Sequence, residues 1–493
     1  MDTSIVFAAD APGATLSYRV QRGELVRLAR GVYSTAAEVD PAITVKREWH
    51  TIAGGLLPGA VITDRSAPVG GPLRGTLYLA HDRREREIPL PGLTLSVRRG
   101  AGPLPGDIPL PGGLFQASKG RALAENARES RARGQRERRT LDASELDDWV
   151  DRLRHTDGED RLATYRQQAE QLAEALGTPA RGVRRLSQVI GAALGTRQVT
   201  SPSRALSARQ AGRPYDQDRV RLFERLVEAL RESAPQNRPL NNPQADRYRH
   251  LPFFEAYFSN FIEGTEFELA EALDVVYAGR QIAGRAADSH DLLGTYRVVA
   301  DHAGMSVATS DPDESLQLLR SRHDTIMSGR PDKRPGLFKQ AENRAGSSLF
   351  VLPALVEGTL RAGLERVHAL DTAFERAVFV MFVVSEVHPF DDGNGRVARV
   401  MMNAELVQGG QSRIIVPTVF RDDYLGGLRR LTRQADPSVL IKSLRYLHDY
   451  TSRIDFKTTD KATRALTLTN AFNEPDSSDR LQLPHRYEPE SAG

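Results

Sequence analysis

The chain has 493 residues, enough for two or three domains that each bury a core of their own. It contains no cysteine, which excludes disulfides and thiolate metal sites and predicts a reducing, cytoplasmic setting. The formal charge of +3 is too small to argue for nucleic acid by itself. The apolar run 378–384, bounded by Arg376 and Glu386, is too short to span a bilayer, and Met1-Asp-Thr lacks the basic start of a secretory signal, so no membrane partner is expected.

Residues 1–115 are rich in Gly, Pro and short β-prone runs such as Thr76-Leu-Tyr-Leu-Ala and Leu93-Thr-Leu-Ser-Val-Arg, and predict a small α+β domain. Within it, Gly23-Glu-Leu-Val-Arg-Leu-Ala-Arg-Gly-Val-Tyr33 is similar to the wing region of AbiEi-type antitoxins and related regulators. That resemblance implies DNA as a partner, with Arg27 and Arg30 on phosphates, although so little sequence precedes the wing that the leading helices of a winged helix are shortened or missing. Isolated arginines of this kind are otherwise solvated strand residues.

Residues 116–216 turn helical and strongly charged. Arg121, Arg128, Arg131, Arg133, Arg136, Arg138 and Arg139 interleave with Glu125, Glu129 and Glu137, which predicts a solvated, salt-bridged helical linker rather than a phosphate-binding patch. A mainly helical core is expected over 217–457. Phe253, Phe254, Tyr257, Phe258, Phe261 and Ile262 repeat at helical intervals and place Glu263 at the end of a buried amphipathic helix. Residues 334–352 interrupt helical sequence with Pro, Gly and a Leu-Phe-Val-Leu end, and read as a β-hairpin or an inter-helix loop. From 458 to 493 the chain is polar and Pro-containing, which predicts a mobile tail.

The densest chemistry lies at 388–399, His-Pro-Phe-Asp-Asp-Gly-Asn-Gly-Arg-Val-Ala-Arg. Gly393 and Gly395 bracket Asn394, so the backbone can take positive φ and turn several N–H groups toward one anion. The run that follows has helical composition, so the turn opens onto a helix N-terminus whose free N–H groups and dipole favour phosphate. Arg396 and Arg399 project from neighbouring positions of that helix. Asp392 supplies the hard oxygen that Mg²⁺ uses when shared with substrate phosphates, and His388 titrates near neutral pH as a candidate general base.

This stretch resembles the active-site motif of the Fic (Fido) family, HPFx[D/E]GNGRxxR, at every fixed position. Upstream, Ser259-Asn-Phe-Ile-Glu263-Gly264 resembles the family's inhibitory motif, [S/T]xxxE[G/N]. The resemblance implies transfer of AMP from ATP to a Ser, Thr or Tyr hydroxyl of a target protein, or of the chain itself, with release of pyrophosphate. His388 would take the acceptor proton and Asp392 would hold Mg²⁺. Asn394 with the backbone of Gly393 and Gly395 would bind the attacked phosphate, and Arg396 and Arg399 the rest. Glycine at 395, where relatives that transfer the γ-phosphate carry Lys, implies AMP transfer. Glu263 would pair with Arg399 and hold the enzyme off, the 334–352 hairpin would dock the target as a flap, and Tyr424 would line the nucleotide site or pack in the core. A dimer is compatible with the family. Two other readings stay open: removal of AMP, with Glu263 placing a water, or use of another nucleotide; and a DNA-binding regulator whose Fic site senses ATP.

Overall fold

The structure, a computed structural model, describes residues 4–9, 13–131, 137–240, 246–346 and 348–484. The chain divides into two compact units, Met1–Gly212 and Arg213–Gly493.

The first unit holds two sheets. A three-stranded antiparallel sheet runs Ile5–Phe7, Val32–Ser34, Val26–Ala29, and its hairpin turns at Gly31, where φ is 78°. Arg27 and Arg30 of the wing-like segment are exposed on it, preceded among the described residues by one helix, Gly13–Gln21. The second sheet has six strands in the order Arg86–Leu90, Leu93–Arg99, Thr76–His81, Val61–Ile62, Phe115–Gln116, Ile108–Pro109. Leu77, Leu79, Leu95 and Val97 alternate onto one face and form an apolar core with Val45 and Ile52 of helix Pro41–Leu56.

The expected linker is not a linker. Helices Lys119–Asn126, Ala143–Thr156, Glu159–Leu176 and Ala180–Ala193 bury Leu123, Trp149, Val150, Leu162 and Ile190 in a core shared with Val61 and Ala67 of the sheet region. Its arginines are only partly the solvated kind. Arg121 is fully buried and pairs with Asp107 at 2.5 Å and Glu125 at 3.3 Å. Arg98 and Arg139 reach Asp64 at 2.9 and 2.5 Å, Arg128 reaches it at 3.5 Å, and Arg98 continues to Glu125 at 2.8 Å. Burial pushes the Asp64 carboxyl upward, but Arg98 and Arg139 outweigh it and hold the group below the usual carboxylate range. Hydropathy alone reads charged residues as solvated; here opposite charges neutralise one another inside the unit. Arg133 and Arg136 lie outside the described residues.

The second unit is mainly helical. Helix α1 (Gln217–Glu232) starts on an Asp216 cap; α2 is Leu251–Ile262, α3 Ala286–Ala300 and α4 Pro312–Met327. At its centre α5 (Ala373–Val387) is buried on all sides and packs against α6 (Asn394–Gln408), with α7 (Arg421–Gln434) and α8 (Ser438–Ser452) following. The Val-rich sequence of α5 has modest helix propensity; a capping box of Thr372 and Glu375 and complete burial decide the conformation.

The expected tail from 458 also differs. Thr459–Leu468 is a ninth labelled helix, α9, and its Ala462 and Leu466, with Ala471 and Leu481 beyond it, join the apolar core of this unit. Few apolar residues suffice there because each lands on the same face. The part of the tail expectation that covers 485–493 falls outside the described residues. No described helix is long and apolar enough to cross a membrane.

Candidate active site

Helix α5 ends at His388, which caps it in the left-handed region at φ 53° and ψ 61° while its N–H reaches the Val384 carbonyl at 3.0 Å. For a non-glycine residue this conformation costs on the order of 1 kcal/mol, and it turns the imidazole out of the helix line. The ring lies flat on Phe350, with centroids 3.8 Å apart and planes 5° from parallel. Burial, aided by the nearby Lys339 ammonium, drives the His388 pKa down to about 4 against the opposing charge of Glu263. The residue expected to titrate near neutrality is therefore a neutral imidazole at pH 7, already in the form that accepts a proton.

The loop to α6 is built by side chains that bond its own backbone. Asn394 accepts the Phe390 N–H at 2.8 Å and donates to the Phe390 carbonyl at 2.9 Å. These two bonds fix the shape of the loop and use the amide oxygen and one of the two amide N–H groups. Gly393 caps α6 at φ 73°, and a Cβ there would lie 2.7 Å from the Met327 sulfur. Asp392 Oδ1 accepts the Gly393 N–H at 2.6 Å, whereas its Oδ2 bonds no described residue. One half-exposed carboxylate with a spare oxygen is the donor that Mg²⁺ needs when phosphates and water complete its shell. Among the described residues there is no cluster of three or more metal-ligating side chains.

Arg396 and Arg399 part company. Arg399 lines a cavity of about 390 Å³ together with Glu263, Gly264, Gly395, His388 and Tyr424. It donates to Glu263 Oε1 at 2.7 Å, to Ser259 Oγ at 3.0 Å and to the Ser259 carbonyl at 2.8 Å. The two sequence motifs, 259–264 and 388–399, therefore meet in this structure. A Cβ on Gly395 would stand 2.1 Å from Glu263 Oε1, so the carboxylate fills the space that the missing side chain leaves. Tyr424 is both core and wall: it is 1% exposed, and its hydroxyl faces the Met381 sulfur at 3.3 Å. Arg396 is buried outside the cavity wall, paired with Asp291 at 2.6 Å and standing 3.5 Å from Asp392 Oδ1.

The expected hairpin is present, with strands shorter than the 334–352 span: Arg344–Ala345 pairs antiparallel with Ser348–Leu349. It is moored on the catalytic loop. The Lys339 N–H bonds the Pro389 carbonyl at 2.8 Å, Asn343 bonds the Phe390 carbonyl at 3.0 Å, and Arg219 bonds the Leu349 carbonyl at 2.7 Å.

Sequence reading missed several residues that shape this site. His323 accepts the Gly336 N–H on Nδ1 at 3.0 Å, faces the Asp392 carbonyl through Nε2 at 2.9 Å, and stacks on Phe390 at 3.6 Å. With Nδ1 occupied as acceptor, Nε2 carries the proton. Arg334 grips Asp391 with two hydrogen bonds of 2.8 and 2.9 Å. His323 and Asp291 sit on helices remote from the motif in sequence and follow no spacing that could have revealed them.

Comparison with known proteins agrees with this geometry. Residues 313–406 match the Fic/DOC family. The chain is similar to protein adenylyltransferase fic-1 of Caenorhabditis elegans, 24% identical over 185 residues that make up 36% of this chain and 36% of that protein. It is similar also to the protein adenylyltransferase Fic of Culex quinquefasciatus, 23% identical over 246 residues, 48% of this chain and 47% of the relative. The chain thus covers from about a third to about half of the length of these curated relatives. Among solved structures, a fragment of C. elegans Fic-1 aligns at 16% identity with a TM-score of 0.37, over 63% of this chain and 86% of that one. The match to the Fic/DOC family runs from α4 into α6 and includes the 388–399 motif, which meets Glu263 of the upstream motif at one cavity.

Proposed function

We propose that this chain is a self-inhibited protein adenylyltransferase that moves the AMP part of ATP onto a hydroxyl of a protein target or of itself. The observation that carries the proposal is the meeting of a neutral His388, the first turn of α6 at Gly395, and Arg399 around one cavity whose arginine is held by Glu263. In the reaction the acceptor oxygen bonds the α-phosphorus, the bond from that phosphorus to the bridging oxygen of the β-phosphate breaks, pyrophosphate leaves, and the acceptor proton passes to His388. Such chemistry is mostly positioning and charge stabilisation, which a helix N-terminus and arginines supply. Asp392 would hold Mg²⁺, which when bound neutralises phosphate charge. The relatives' names, which call them protein adenylyltransferases, support the same activity here. The hairpin beside His388 offers a strand edge to an extended target segment.

The test uses Glu263→Gly protein with Mg²⁺ and ATP labelled at the α- or the γ-phosphate, beside the same protein carrying His388→Ala. Protein-bound α-label that disappears with His388 is the expected result. Label from the γ-position alone would replace AMP transfer by phosphate transfer, and no label from either would move the assignment to AMP removal or nucleotide sensing.

A further inference from the structure

Arg396 is assigned to nucleotide phosphate by its place in the motif, yet its guanidinium is set by a residue far from the motif. Asp291, on the first half of α3, is fully buried, and its carboxylate lies 2.6 Å from Arg396 Nη1. The same carboxylate takes Arg330 at 2.8 Å and 3.0 Å on its two oxygens, and Arg330 also reaches Asp288 at 3.0 Å. On its other side Arg396 has weak or long partners: Asn260 Oδ1 at 3.5 Å and Asp392 Oδ1 at 3.5 Å. Its Nε–H is buried with no hydrogen-bond partner among the described residues.

A long arginine side chain carries about 2 kcal/mol of rotamer entropy, and a guanidinium paired with a buried carboxylate has lost part of that freedom before a ligand arrives. The Asp291 pair restricts Arg396 in this way beside Asp392, the residue on the loop that opens the phosphate cradle. Arg330 bridges Asp291 to Asp288, so the carboxylate that holds Arg396 is itself fixed from its far side.

We infer that Asp291 is a positioning residue for the nucleotide, acting through Arg396 on the phosphates beyond the α-position. The inference rests on the proposed reading of the cavity as an ATP site. Its signature is a change in the preference for ATP over AMP, since AMP lacks the phosphates that Arg396 is placed to meet. A residue that only stabilised the fold would lower the melting temperature and leave that preference alone.

The experiment measures binding of ATP and of AMP by titration calorimetry to full-length Glu263→Gly protein, alone and with Asp291→Asn or Arg396→Gln added. The expected result is a loss of ATP affinity of roughly ten- to a hundredfold in Asp291→Asn, as misplacing a phosphate-binding group costs, with AMP affinity changed less than about twofold and the Arg396→Gln protein behaving alike. If the ratio collapses in Arg396→Gln and stays unchanged in Asp291→Asn, the role of Asp291 is overturned and the ATP site stands. If the parent protein binds no ATP, or if neither variant alters the ratio, the reading of this site as a triphosphate cradle fails together with the inference. The double variant Asp291→Asn with Arg330→Gln removes one charge of each sign; it keeps the same readout available should the single variant fail to fold.

Discussion

Replacing Glu263 by glycine raises ATP-dependent self-modification by roughly 30- to 1000-fold. The figure follows from what the glutamate holds. Its carboxylate makes a 2.7 Å charge-assisted bond to Arg399, whose side chain is buried and braced by the Ser259 hydroxyl at 3.0 Å. Burial alone would weaken the charge on Arg399, and Glu263 more than offsets it, so the arginine is held charged by its carboxylate partner. A triphosphate must displace that partner. Coupling in a desolvated pair of this kind is about 2–4 kcal/mol, which converts to the stated range at about 1.4 kcal/mol per decade. The measurement is the initial rate of α-label incorporation in the parent and in Glu263→Gly protein. Equal rates would sink the idea of a built-in brake. Ser259→Ala, which leaves the ion pair in place, should release less activity than Glu263→Gly.

Acid should destabilise the second unit through its buried neutral histidines. His323, His388 and His448 are each lowered by burial from an ordinary 6.5 to about 4. Below pH 6.5 the unfolded chain takes up protons at these three positions while the folded chain does not, so stability is complete above about pH 7 and falls as pH drops toward 4. Each histidine contributes up to about 3 kcal/mol over the full window. Glu255, Glu386 and Glu405 are pushed upward by burial and bind protons first in the folded state, which offsets part of the loss. A net fall of the order of 5 kcal/mol between pH 7 and 4 is expected. Urea midpoints at several pH values check it, and His388→Ala should flatten the slope by about a third. Midpoints that do not move between pH 7 and 5 would contradict the buried neutral state of these rings.

The glycine turn at 393–395 and the place of Glu263 at a helix end were legible because both depend on residues close together in the chain. Gly393 takes a positive φ that a residue with a Cβ adopts only with strain and collision, and Glu263 follows directly on a buried helix. The hairpin was legible from its Pro, Gly and β-prone residues, although the strands are shorter than the segment that announced them. Residues 116–216 misled because charge density reads as solvent exposure, whereas Arg121 and Asp64 neutralise buried partners that only the folded first unit brings near. The stretch after Thr458 misled because a short helix needs few apolar residues once a core is waiting for them.

By itself the sequence determined the chemistry on offer: a base, a carboxylate, a glycine-permitted anion cradle, two arginines, and a glutamate placed to reach one of them. Tertiary structure decided the state and the division of labour among these groups. Only burial could hold the His388 imidazole neutral at pH 7, and only the folded loop brings the Asn394 amide onto the Phe390 backbone. Only packing of α2, α3 and α6 could give Arg399 to Glu263 and Arg396 to Asp291. The reason is physical: residue type and local backbone travel with the chain, whereas desolvation and the choice of ionic partner exist only where distant segments close around the same few ångströms.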